Sequence, residues 1–171
     1  MSKITIPSKS TEVNYDLKSK IAKTELGVNA LWCVQCGICT SSCPVAEFLK
    51  PHQVIKMALL GLESVIRSRE IWLCAECYMC YERCPQDVKP TEVLIMLKNI
   101  AAEEGYIYPA LKKLVNLVIN NGRIYEITDF ENEIRADLGL PPVPEVNVDE
   151  IRKIAETTGL DKRIGIRRIE T

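Results

Sequence analysis

A chain of 171 residues, 47% of them hydrophobic, has room for one globular domain or two small ones. Its 22 Lys+Arg against 23 Asp+Glu leave a net charge of -1, without the basic excess that nucleic-acid binding usually brings. No apolar run approaches the roughly 18 residues of a membrane helix, and the opening MSKITIPSKS lacks the apolar core of an export signal, so a cytoplasmic protein with no membrane span is expected.

Residues 1–30 read as an N-terminal segment with one weak strand signal, over 3–6. "CVQCGICTSSCP" follows, with Cys33, Cys36, Cys39 and Cys43 ahead of Pro44. A helix is expected over 51–60, because proline suits the first helical position and Gly61 supplies a stop. Val54, Ile55, Ala58, Leu59 and Leu62 recur there at helical spacing. A short helix over 62–69 leads to "CAECYMCYERCP", where Cys74, Cys77, Cys80, Cys84 and Pro85 repeat the first motif 41 positions on. Lys50-Pro51 is echoed by Lys89-Pro90. The helix after Pro90 carries Val93, Leu94, Met96, Leu97 and Ile100, and Gly105 closes it. Further helices are expected from Pro109 to "NNG", over 129–138 and over 148–158, with the extended linker "GLPPVPEV" before the last. The expected organisation is thus a segment 1–30, a mainly α two-motif domain 31–106, a helical extension 107–138, and a proline-containing linker with a docking tail over 139–171.

All eight cysteines lie in the two motifs. Disulfides are a poor reading, because spacings of two or three residues cannot cross-link a fold and nothing suggests an oxidising compartment. Thiolates bind soft metals. Structural zinc sites pair two C-x2-C units across a dozen or more residues. A C-x2-C-x2-C run instead suits three corners of an iron–sulfur cube. The fourth cysteine followed by proline completes the bacterial ferredoxin pattern, in which it ligates the other cluster. Two [4Fe–4S] clusters are therefore expected, one on Cys33, Cys36, Cys39 and Cys84, the other on Cys74, Cys77, Cys80 and Cys43. Each proline would turn the chain away from its cluster.

Gly37 allows close backbone approach. Its counterpart Tyr78 lacks that freedom, so unequal cluster potentials are one expectation and simple core packing of Tyr78 the other. Trp32 and Trp72 flank the motifs and are expected to cover the clusters. No dinucleotide or phosphate-binding fingerprint occurs. His52, the single histidine, reads as a solvated surface residue, as do Glu103 and Glu104. No catalytic residue is assigned, and the chain reads as a conduit. Seven acidic residues against one arginine over 128–150, and Lys162, Arg163, Arg167 and Arg168 in the tail, are docking candidates or ordinary solvated charge.

"REIWLCAECYMCYERCPQDVKPTEVL", preceded by "KPHQVIKMALLGLESVI" and followed by "NNGRIYE", resembles HdrC, the third subunit type of heterodisulfide reductase from methanogens and related archaea, over about residues 27–126. The resemblance implies an α-helical ferredoxin that carries electrons from a flavin-bearing subunit, HdrA, to a catalytic subunit, HdrB. HdrB reduces CoM-S-S-CoB, the mixed disulfide of coenzymes M and B. Assembly with a hydrogenase or a formate dehydrogenase is also implied. Two alternatives remain: a similar module in another anaerobic or sulfur-metabolising redox complex, and a zinc-stapled interaction module without redox activity.

Overall fold

The computed structural model describes residues 13–164. The strand expected over 3–6 and the tail residues Arg167 and Arg168 lie outside them. Among the described residues there is no strand; one isolated antiparallel bridge joins Val13 to Leu62. The chain divides into two compact units, one ending at Tyr106 and the other beginning at Ile107.

The first unit begins with two helices that the sequence reading did not anticipate. α1, Tyr15–Ala22, is capped by Asn14, whose side chain accepts from Leu17 N–H; α2, Glu25–Ala30, is capped by Thr24, which accepts from Gly27 N–H. Leu17, Ile21 and Ala30 enter the core. α3, Ile38–Ser41, lies inside the first cysteine motif. α4, Pro51–Leu59, starts with proline at N1 and buries Val54, Ile55 and Ala58 along one face. Gly61, at φ 69°, ends that segment, and its carbonyl accepts from Asn14 N–H at 2.8 Å. α5, Ser64–Arg67, is shorter than the sequence implied, and a 3-10 turn over Glu70–Leu73 leads to the second motif. α6, Met79–Glu82, lies within that motif, and α7, Pro90–Glu103, is the central helix. Val93, Leu94, Leu97 and Ala101 on α7 are fully buried. Each large aliphatic side chain so removed from water contributes about 1.5–3 kcal/mol.

The duplication is visible in the packing. α3 packs on α6 and α4 packs on α7, so both pairs of repeat-equivalent elements meet. This brings the fourth cysteine of each motif within reach of the other motif's loop.

The second unit holds α8, Pro109–Asn121, α9, Asp129–Asp137, α10, Val148–Thr158, and α11, Leu160–Ile164. The first three follow the sequence reading, and α11 is additional. α8 ends at Gly122, left-handed at φ 71°, where an added Cβ would meet the Val146 side chain at 2.4 Å. Residues 140–147 carry no regular secondary structure up to the Asn147 cap of α10, and α10 packs on α8. Among the described residues no helix is long and apolar enough to cross a membrane.

Candidate functional site

The eight thiols line two chambers, four in each. Cys33, Cys36 and Cys39 face one chamber together with Cys84. Cys74, Cys77 and Cys80 face the other together with Cys43. In each motif the first cysteine is half-buried, the second exposed, the third buried and the fourth half-buried. The remaining walls are largely apolar, with Ile55, Val88 and Pro85 at the first chamber and Val45, Leu49 and Pro44 at the second. Among the described residues, no three His, Cys, Asp or Glu side chains converge on one point as a single metal ion requires.

The loops owe their curl to left-handed residues at repeat-equivalent positions. Gln35 (φ 57°) corresponds to Glu76 (φ 53°), and Gly37 (φ 80°) corresponds to Tyr78 (φ 60°). Tyr78 therefore adopts the conformation of its glycine counterpart, contrary to the sequence reading, although such a backbone costs a non-glycine residue of order 1–3 kcal/mol. Interspersed left-handed residues turn successive N–H groups to one side, a concavity that suits anionic groups including iron–sulfur clusters. Gly37 and Tyr78 then start α3 and α6, whose first turns carry the buried Cys39 and Cys80.

Burial raises the Cys39 thiol to about 11, helped by the neighbouring Cys80, Cys33, Cys36 and Cys84. Burial also raises Cys74 and Cys80. Burial thus disfavours the thiolate form of these three side chains, and metal binding must displace their protons. Several sulfurs already have hydrogen-bonding neighbours. Gln35 Nε2 donates to Cys33 Sγ at 3.1 Å, Val88 N–H reaches Cys84 Sγ at 3.4 Å, and Thr91 Oγ1 lies 3.1 Å from Cys80 Sγ. Lys98 Nζ donates to the Cys74 carbonyl at 3.0 Å and pairs with Glu76 at 2.8 Å, which fixes the second loop to α7. Four thiols around an apolar chamber, with concave backbone beside them, fit a thiolate-held iron–sulfur group.

Two side chains depart from the sequence reading. His52 lines the first chamber instead of lying on the surface, and its Nδ1 is 2.6 Å from Thr40 Oγ1. Burial, and then Lys50 and Lys56, lower its pKa. Trp32 does not cover a chamber: it is 66% exposed, whereas Trp72 is half-buried against the core. Thr91, Gln35, Val88 and Lys98 escaped the sequence reading. The repeat held a clue to two of the chamber residues, since aligning Pro51 with Pro90 also aligns His52 with Thr91.

Residues 14–88 match the family model of the 4Fe-4S dicluster domain. The class is therefore an α-helical iron–sulfur ferredoxin. The chain is 38% identical to the C2 subunit of the H(2)/formate:CoB-CoM heterodisulfide,ferredoxin reductase of Methanococcus maripaludis, over 78% of this chain and 77% of that one. It is 39% identical to a C-type iron-sulfur subunit of the CoB--CoM heterodisulfide reductase of Methanocaldococcus jannaschii, over 77% and 75%. It is 35% identical to the C-type subunit of the H(2):CoB-CoM heterodisulfide,ferredoxin reductase of Methanothermobacter thermautotrophicus, over 90% and 87%. The chain belongs to the HdrC family, the iron–sulfur electron-transfer subunits of heterodisulfide reductase.

Proposed function

We propose that the chain holds two [4Fe–4S] clusters, one on Cys33, Cys36, Cys39 and Cys84 and one on Cys43, Cys74, Cys77 and Cys80. We further propose that it serves in the cytoplasm as the electron bridge from the flavin-bearing HdrA to the catalytic HdrB, which reduces CoM-S-S-CoB. The observation that carries the ligand sets is the grouping of three thiols of one motif with the fourth thiol of the other around each chamber. The relatives' names support the complex and its substrate, and one names both hydrogen and formate, in keeping with a hydrogenase or formate dehydrogenase as a further partner.

When bound, each cluster accepts and gives up one electron at a time. The polypeptide anchors the groups, keeps water from their inner faces and joins them through the packed helices α3 and α6. Because reducing a disulfide takes two electrons, the bridge is used twice per turnover. The chain needs no acid, base or nucleophile of its own; HdrB supplies the bond cleavage.

Anaerobic purification of the full chain tests the cofactor: iron and acid-labile sulfide should each be about eight per chain. A colourless, sulfide-free protein that contains zinc would contradict the proposal. Co-purification tests the partners. HdrA and HdrB should come with the chain, and capture of a different dehydrogenase in their place would redirect the assignment to another redox complex.

A further inference from the structure

Thr91 is the one polar residue among the described residues that is buried, at 1% exposure, and its hydroxyl lies 3.1 Å from Cys80 Sγ in the wall of the second chamber. A buried hydroxyl with no partner costs about 1–3 kcal/mol, so the contact is needed as well as close. A sulfur that ligates metal is a thiolate without a proton, which leaves Oγ–H as the only possible donor. The residue sits immediately after Pro90 in the first turn of α7, where the helix start fixes its position. The repeat lacks a counterpart: the equivalent position is His52, whose Nδ1 is engaged with Thr40 Oγ1.

We propose that Thr91 is a positioning residue for the second iron–sulfur group, whose hydroxyl donates to the Cys80 thiolate and raises the midpoint potential of the group held by Cys43, Cys74, Cys77 and Cys80. This rests on the ligand sets proposed above. A hydrogen bond to a ligating sulfur withdraws charge from it and favours the reduced form, which is the more negative one. The lining of the first chamber has no such hydroxyl at the equivalent position, so the duplicated halves differ at this register.

The test is an EPR-monitored redox titration of the full chain, unmodified and as Thr91→Val and Thr91→Ser. Thr91→Val keeps the shape and removes the hydroxyl; it should move one midpoint potential to a more negative value and leave the other in place. Thr91→Ser should restore the unmodified potential. Two unchanged potentials in Thr91→Val would overturn the proposal, as would a Thr91→Ser shift as large as that of Thr91→Val. If Thr91→Val fails to retain its clusters, the proton is sought by electron–nuclear double resonance on the unmodified protein and Thr91→Ser. An exchangeable proton coupled to the reduced second group in both proteins supports the donor, and its absence from both overturns it. An unmodified chain without two iron–sulfur signals would defeat the ligand sets themselves, a result distinct from any obtained with the Thr91 variants.

Discussion

Gly27 is a residue where one methyl group is too much. Its missing Cβ would lie 1.7 Å from the Ile21 carbonyl oxygen, at the tight junction between α1 and α2. That oxygen belongs to backbone and cannot step aside. Gly27→Ala should therefore destabilise the protein by about 3 kcal/mol, the upper end of ordinary overpacking, read as a lower thermal midpoint of the cluster-loaded chain. An unchanged midpoint would mean that α1 and α2 separate more freely than this geometry allows. Lys98 acts at the same scale but toward the site. Its ammonium ties the Cys74 carbonyl and Glu76 to α7. Lys98→Met should loosen the second loop at a cost of about 1 kcal/mol, and a chelator should strip iron from that loop roughly fivefold faster. Equal stripping rates in the variant and the unmodified chain would remove this role.

Among the elements, α9 makes the clearest pH prediction. Thr128 N–H donates to Glu131 Oε2 at 2.8 Å and the Thr128 side chain accepts from the Glu131 backbone N–H, the two halves of a capping box at the helix start, and the Thr128 hydroxyl also donates to the same carboxylate. The Thr128 hydroxyl and then its N–H hold the Glu131 carboxyl at about 2, well below the usual carboxylate range. A depressed folded-state pKa gives stability that is present above the unfolded value, near 4.3, and is lost as pH falls toward 2. Carboxyl-resolved NMR should find the Glu131 midpoint near 2, and Thr128→Ala should return it toward the ordinary range while weakening the cap by about 1 kcal/mol. A midpoint already ordinary in the unmodified chain would contradict the capping box. Elements of this kind explain which parts of the fold could be read in advance. α4, α7 and α8 begin at prolines and end near left-handed glycines, so sterics mark both boundaries in the residue letters. α1 and α2 are short, and their caps Asn14 and Thr24 gain meaning only once Leu17, Ile21 and Ala30 have a core to enter. The turns at Glu76 and Tyr78 could not be read at all. Neither residue prefers a left-handed backbone, and the loop's need to curl overrides local preference.

At the scale of the molecule, the proposed ligand sets would explain why two motifs occur and why neither would suffice alone. Facing pairs of equivalent helices carry the fourth cysteine of each repeat to the other repeat's loop. The cysteine spacing was readable because ligand chemistry restricts it. The parts that distinguish the halves, His52 beside one chamber and Thr91 beside the other, were not, because burial is a property of the packed pair. The most direct measurement of the crossed ligand sets is low-temperature EPR of four reduced variants of the full chain. Cys36→Ser and Cys84→Ser should alter one and the same signal, and Cys77→Ser and Cys43→Ser the other. If Cys84→Ser instead alters the signal that Cys77→Ser alters, each motif serves its own cluster and the account of the duplication is wrong.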